Sequence, residues 1–176
     1  SGTEQEIFSL EELINIFSID RISKHGAKFD LEKAKWFNHQ YLQKVEDEKL
    51  AQDFLCDLSS RGINANEQKV KSIVALVKER CNFVKDFWGN SDYFFVAPES
   101  YAEKALKKRW KEETPQLMNE LIEVLNGIED FSCASAEPTV LGWITDKGYH
   151  MGNVMNAFRL TVVGECKGPH MFDITE

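Results

Sequence analysis

The stretch RISKHGAKFD, residues 21–30, holds the side chains best suited to phosphate chemistry. A lysine amine such as that of Lys24 can lie against the phosphates of ATP, and His25 follows it directly. That chemistry needs a nucleotide-binding sheet with a glycine-rich phosphate loop, and the sequence contains no GxGxxG or GxxxxGK[ST] motif. We therefore expect Lys24 and His25 to lie in a loop between two short helices, with no role in ATP binding.

No other group of residues forms a catalytic or metal-binding motif. The serines, histidines and aspartates are scattered, and none stands in a nucleophile elbow, so no catalytic residue is assigned. The cysteines at 56, 81, 133 and 166 include no CxxC or CxxH pair, which predicts the absence of a zinc site. Free thiols are typical of the reducing cytoplasm, where we expect the protein to reside.

Charge is unevenly distributed along the 176 residues, whose net charge of −8 argues against a general nucleic-acid binder. Residues 1–60 carry 7 basic and 12 acidic side chains, residues 61–113 carry 11 and 8, and residues 114–176 carry 3 and 9. The basic middle includes Lys107, Lys108 and Arg109 in the sequence ALKKRWK. Phosphate contact and an exposed helix face explain this cluster equally well.

Apolar residues recur at helical spacing through almost the whole chain. Ser9 with Glu12 has the pattern of a capping box, Asp30 stands at a helix N-cap position, and Gly164 stands at a helix end. No strand alternation persists, and no apolar run approaches the roughly 20 residues of a membrane span. We predict an all-α fold.

Two local predictions concern helix boundaries. Asn64, paired with Glu67, is expected to cap the longest helix candidate, residues 64–88, in which Arg80 follows Leu76 by one turn. Pro138 is expected near the first turn of a short helix, where its missing N–H is tolerated. Between them, residues 91–98 are predicted to form a loop or a short extended piece that ends at a proline.

The run EIFSLEELINIFSIDRISKHGAKFDLEKAKWFNHQYL resembles the segment that follows the ATP loop in bacterial-type glutamyl-tRNA synthetases, which are class I enzymes. The matching residues are Phe8, Leu10, Phe17, Arg21, Ser23, Gly26, Ala27, Phe29, Asp30, Lys33, Trp36, Asn38 and Tyr41. The resemblance assigns residues 1–44 to the end of the stem-contact region. It also implies that the true ATP loop of such an enzyme precedes this segment.

The remainder resembles the helical anticodon-binding domain of the same family, a helical bundle or cage. ERCNFVKDFW is similar to the helix end that carries an anticodon-reading arginine, and GNVMNAFRLTVVGECKGPHMFDI is similar to the family's closing segment. The resemblance implies that Arg80 reads the third anticodon base and Arg159 the first. It also implies that the loop with Gly168, Pro169 and Met171 encloses the middle base. Taken without the resemblance, both arginines would be assigned to the surface, Arg80 in a salt bridge with Glu79 or a neighbouring helix.

The chain departs from the family pattern at two places. Ala157 and Phe158 precede Arg159 where the family often has Pro-Leu, and His170-Met171 stands where the family often has Gly-Leu. The arginine and Pro169 are kept.

The predicted function is tRNA(Glu) recognition and anticodon binding by the C-terminal part of a glutamate–tRNA ligase. Residues 45–176 would form the anticodon-binding domain, with possible halves 45–98 and 99–176. The resemblance implies that the parent ligase attaches glutamate to tRNA with ATP and Mg²⁺, while this part alone carries neither cofactor nor activity. We expect a monomer with no DNA or membrane partner. The alternative is a helical protein–protein interaction module, which the acidic surface would suit.

Overall fold

The computed structural model describes residues 5–22, 26 and 28–176, and these form an all-α fold without a strand. The predicted fold class is therefore confirmed. Ser23, Lys24, His25 and Ala27, including the two residues considered for ATP binding, lie outside the described residues. The helices of the described chain are α1 Leu10–Ile16, α2 Leu31–Lys44, α3 Asp47–Ser60, α4 Glu67–Val77, α5 Asp86–Ser91, α6 Glu103–Arg109, α7 Thr114–Asn126, α8 Cys133–Asp146, α9 Met151–Val163 and α10 Met171–Thr175.

Local side-chain caps begin the first two helices as the sequence predicts. The Ser9 hydroxyl accepts the Glu12 backbone N–H, and the Glu12 carboxylate accepts the Ser9 backbone N–H, which completes a capping box on α1. Asp30 accepts the Lys33 backbone N–H at 3.1 Å at the start of α2. Each cap satisfies a backbone donor that has no partner inside the helix.

The fourth helix is shorter than predicted and begins at a different cap. Asn66, rather than Asn64, accepts the backbone N–H groups of Gln68 and Lys69. The α-helix ends at Val77 and continues as the 3₁₀ turn Lys78–Arg80. The carboxylate of Asp86 then accepts two backbone N–H groups from residues 82 and 83, which stabilises a new turn before α5. The prediction of one long helix over residues 64–88 was wrong, because the α-helix ends at Val77 in a 3₁₀ turn and the Asp86 carboxylate stabilises a new turn after it.

Replacing Asn66 with alanine is expected to lower the free energy of unfolding by about 1 kcal/mol, since two N–H groups lose their acceptor. Asn64→Ala is the matched control, because Asn64 lies two residues before the true cap. Urea unfolding followed by circular dichroism measures both. Equal losses for the two variants would show that the cap assignment is incorrect.

Helix α8 also differs from its prediction. It is 14 residues long and starts at Cys133, so Pro138 lies inside the helix rather than near its first turn. Proline has no N–H to donate to the carbonyl of Ala134 four residues earlier, and the helix continues to Asp146 without that bond.

The buried side chains form two separate clusters along the chain. The first unites α3, α4 and α5 around Phe54, which is fully buried and lies 5.5 Å from Phe87, centroid to centroid. The second unites α7, α8, α9 and α10, with Phe158 6.5 Å from Phe172. Each cluster holds its own set of helices in place, and the segment between α5 and α6 connects them.

The apolar face of α1 belongs to neither of these clusters. Leu10, Ile14 and Phe17 are all more than half exposed, and no residue of α1 is buried. The helix is held against α2 by the Tyr41 hydroxyl, which donates to the Phe8 carbonyl at 2.8 Å. None of the described helices is long and apolar enough to span a membrane.

Candidate nucleic-acid interface

A cleft of about 900 Å³ lies between the segment that follows the first cluster and the C-terminal end of α9. Arg80 and Gly168, both chosen from the sequence, line it together with Tyr93. Its wall also includes residues 96–102, of which 96–98 end the stretch predicted as a loop or a short extended piece. Two sequence candidates that are 88 positions apart thus face one space, and Arg159 lies directly behind Gly168.

Arg159 extends from the buried side of α9 toward this wall of the cleft. Its Nη1 lies 3.0 Å from the position that a Cβ on Gly168 would occupy, and the Tyr93 hydroxyl lies 3.7 Å from the same point. Gly168 has a φ of +136°, a backbone conformation that other residues rarely adopt. Glycine at this position therefore leaves room for the guanidinium.

Two polar groups at this point are buried without a hydrogen-bond partner among the described residues. They are Nη1 of Arg159 and the hydroxyl of Tyr93. A buried donor without an acceptor costs about 1–3 kcal/mol, more when it is charged, so native structures rarely leave one unpaired. The pair forms a ready site for acceptor atoms of a ligand in the cleft.

The protonation states of these groups keep both of them as donors. Burial raises the pKa of the Tyr93 phenol to about 12, although the Arg159 charge opposes the shift. Burial lowers the pKa of the Arg159 guanidinium; Tyr93 opposes this shift and Arg80 adds to it. Arginine nevertheless stays cationic at neutral pH. Arg80 and Arg159 therefore place two positive charges next to a neutral phenol, in a cleft whose other charged lining residues are Arg61, Lys167, Asp92, Glu99 and Glu165.

Arg80 occupies the end of the 3₁₀ turn Lys78–Arg80, not a helix, and its side chain is exposed. Within the described chain it forms no ion pair, so the predicted surface salt bridge with Glu79 is not observed. Its guanidinium is thus available in the cleft that Gly168 and Tyr93 also line.

Helix α2 holds the turn that carries Arg80. The Nε2 amide of Gln43 donates to the Lys78 carbonyl at 3.0 Å, and His39 Nδ1 lies 2.9 Å from the Cys81 carbonyl. The side-chain amide of Asn38 donates to the carbonyl of Asn82, the residue after Cys81. These contacts position the Arg80 backbone, and no motif in the sequence identified them.

The cleft also contains an arginine that sequence analysis did not single out. Arg61 stacks over the ring of Trp88 at 4.6 Å and pairs with Asp57 at 2.8 Å. Its guanidinium is occupied by these two partners, unlike that of Arg159. The aromatic-rich stretch at residues 92–95, now seen as the 3₁₀ turn Asp92–Phe94, was the only sequence signal for Tyr93.

The remaining sequence candidates lie elsewhere. Pro169 and Met171 are buried, and Met171 packs in the second cluster at 2% exposure, so Gly168 is the member of that loop that faces the cleft. Lys107 and Lys108 are exposed on α6. Arg109 lines a separate cleft of about 300 Å³ beside α7.

Residues 32–176 match the sequence model of the family described as "Anticodon binding domain". The chain belongs to this family of anticodon binding domains.

The similarity to glutamate–tRNA ligases that the motifs predicted is also confirmed. Over 99% of its length the chain is 59% identical to the glutamate–tRNA ligase of Flavobacterium psychrophilum and 54% identical to that of Phocaeicola vulgatus, covering 35% and 34% of those proteins. A crystal structure of a glutamate tRNA ligase from Elizabethkingia meningosepticum superimposes with a TM-score of 0.89 and 41% identity, covering 97% of this chain and 34% of that one. The chain thus spans about a third of the length of these relatives.

Proposed function

We propose that this chain is the tRNA-recognition part of a glutamate–tRNA ligase and that it binds the anticodon of tRNA(Glu). The observation that carries the proposal is the pair of unpartnered donors on Arg159 and Tyr93, next to the cleft that Arg80 lines. Membership of the anticodon binding domain family supports the same conclusion.

Anticodon bases suit such a site because RNA sequence is read mainly at unstacked loop bases, whose edges offer acceptors to side-chain donors. A guanidinium held in one place can donate two parallel hydrogen bonds to a base edge. Arg159 would read the first anticodon base, Arg80 the third, and the loop beginning at Gly168 would enclose the middle one. Since Met171 is buried in the second cluster, its part in this is to position the loop.

The chemistry of charging tRNA belongs, in this proposal, to the remainder of the ligase. ATP supplies the energy that activates glutamate, and Mg²⁺ accompanies it. The residues of this chain do not fit ATP, because the sequence has no glycine-rich phosphate loop and the described residues form no sheet to carry one. We propose that the parent enzyme works in the cytoplasm and that this chain is monomeric.

The proposal is tested by titrating the chain with tRNA(Glu), with tRNA(Glu) variants changed at each anticodon position, and with an unrelated tRNA, at several salt concentrations. We expect tightest binding to tRNA(Glu), a loss at each changed position, and weakening with salt as phosphate contacts exchange for ions. Equal affinity for all of these RNAs would contradict anticodon reading. The absence of binding at low salt would favour the protein-interaction alternative.

The exposed basic cluster on α6 should contribute affinity without selectivity. Changing Lys107, Lys108 and Arg109 together to alanine is expected to weaken all tRNAs by a similar factor. The slope of log affinity against log salt should fall by up to about 2, since each phosphate contact on a single strand contributes about 0.7. Lys147→Ala, which removes an exposed charge in the acidic C-terminal third, is the control and should change neither quantity. A loss confined to tRNA(Glu) would instead make these residues base readers.

A further inference from the structure

Three side chains with metal-binding atoms lie close together where α8 and α10 begin. Cys133 is the first residue of α8, Glu137 lies one turn later on the same face, and His170 immediately precedes α10. The Cys133 Sγ lies 3.6 Å from Glu137 Oε2 and 3.9 Å from His170 Nδ1, while His170 Nε2 lies 3.3 Å from Glu137 Oε1. We propose that Cys133, Glu137 and His170 bind a divalent cation of the zinc class.

The distances between these atoms suit a tetrahedral ion. Zinc binds sulfur at about 2.3 Å and nitrogen or oxygen at about 2.0–2.2 Å, so its ligands lie roughly 3.3–3.7 Å from one another. One ligand atom from each of Cys133, Glu137 and His170 lies within 4.8 Å of the other two, so small side-chain rotations suffice to bring the three to that spacing. Because Cys133 and Glu137 are partly buried and His170 is exposed, water can take the fourth position.

The surroundings of the cluster complete the arrangement expected of a metal site. The Asp173 carboxylate lies 3.5 Å from His170 Nδ1, so it can hold the imidazole while Nε2 faces the ion on the Glu137 side. A carboxylate on the second nitrogen of a ligating histidine fixes its tautomer and orientation. Glu176 adds another negative charge, since its carboxylate accepts the Cys133 backbone N–H at 3.2 Å.

The donor set of the cluster is one that suits a metal ion. Cysteine, histidine and carboxylate together are ligands that zinc accepts.

No CxxC or CxxH pair marks this site in the sequence, because Cys133 and His170 are 37 positions apart. A bound ion would tie α8 to the segment that follows Gly168, and so restrain one wall of the cleft.

The test is a titration of the purified chain with Co²⁺ and Zn²⁺, without RNA. We expect the visible absorption of tetrahedral cobalt with a thiolate-to-cobalt band, displacement by zinc, and a melting temperature that rises with zinc concentration. Cys133→Ser should abolish the thiolate band, and His170→Gln and Asp173→Asn should each weaken zinc binding by about tenfold or more. Cys56→Ser, which removes an exposed thiol on α3, is the matched control and should leave all signals unchanged.

The cluster would be only a surface ion-pair group if the wild-type chain bound neither metal at millimolar concentration. The proposal is likewise overturned if Cys133→Ser keeps the thiolate band or if Cys56→Ser removes it. Circular dichroism of each variant establishes that the fold is retained, which the partial exposure of the substituted side chains favours. None of these readouts involves tRNA, so failure of this proposal and failure of the proposed anticodon binding are separate results.

Discussion

Replacing Arg159 with alanine should reduce the preference for tRNA(Glu) over a tRNA changed at the first anticodon base by roughly five- to 150-fold, the equivalent of about 1–3 kcal/mol for one bidentate contact. The reason is that Nη1 of Arg159 has no acceptor among the described residues, so a ligand in the cleft would supply one. Arg80→Ala should give a loss of the same order at the third base. Arg80→Lys should not restore it fully, because an ammonium group lacks the planar fork.

Tyr93→Phe separates the cost of an unpaired donor from its use in binding. The Tyr93 hydroxyl is buried and has no partner among the described residues, so its removal should leave the stability of the free chain unchanged or higher. The same change should weaken binding to tRNA(Glu), because the RNA acceptor that the Tyr93 hydroxyl meets in the complex would be left without a donor.

Arg61→Ala is the matched control for the two arginine variants. Arg61 lines the same cleft, but its guanidinium already pairs with Asp57 and stacks on Trp88. Its loss should therefore lower affinity for all tRNAs by a similar factor and leave base preference intact. Competitive binding against tRNAs varied at each anticodon position measures these effects. In a double-mutant cycle, the Arg159 effect should disappear for a tRNA already changed at the base it reads.

Two outcomes would contradict the assignment of the arginines. Equal losses for cognate and changed tRNAs would reduce Arg80 and Arg159 to phosphate contacts. Unchanged binding by a correctly folded Arg159→Ala variant would remove that residue from the interface.

Gly164→Ala should be the most destabilising single-methyl change at a helix end, lowering the free energy of unfolding by more than about 2 kcal/mol. Gly164 ends α9 with a φ of +79°, which an L-residue adopts only with strain. A Cβ there would lie 2.9 Å from the Ser100 carbonyl and 3.1 Å from Pro98, so backbone must also move. The Gly164 carbonyl accepts the Ala102 N–H at 2.9 Å, and the movement would therefore displace a wall of the cleft.

Gly62→Ala is the control for the strain alone. Gly62 has a φ of +78°, almost the same as Gly164, but a Cβ there would meet nothing within 4 Å. Gly62→Ala should lower the free energy of unfolding by about 1 kcal/mol. Urea unfolding gives both values, and tRNA titration should show weaker binding for the Gly164 variant only. Equal destabilisation by the two substitutions would mean that the contact between α9 and residues 98–102 contributes nothing to the free energy of unfolding.

Features that depend on neighbouring residues could be predicted from the amino-acid sequence. The all-α class, the capping box at Ser9 and the cap at Asp30 were predicted correctly, because a cap is a hydrogen bond to a backbone N–H two or three residues away. The stop at Gly164 was correct for a similar reason, since glycine tolerates a positive φ without help from the rest of the fold.

Packing between helices selects one of several local possibilities that the sequence allows. Asn64 and Asn66 both have the chemistry of a cap, and packing of α4 in the first cluster selected Asn66. The periodic apolar face of α1 predicted a helix but not a partner for it, because periodicity identifies which residues share a face and not what covers them.

The candidate sites depend still more on the fold. Arg80 and Arg159 were selected through family resemblance, whereas nothing in the sequence indicated that Tyr93 would lie beside Arg159 or that Cys133 would meet His170. Such pairs are joined by contacts between helices far apart in the chain, and their distances follow from how whole helices pack. Hydrogen bonds within one turn can be read from sequence, while a cleft or a metal site requires the positions of several helices at once.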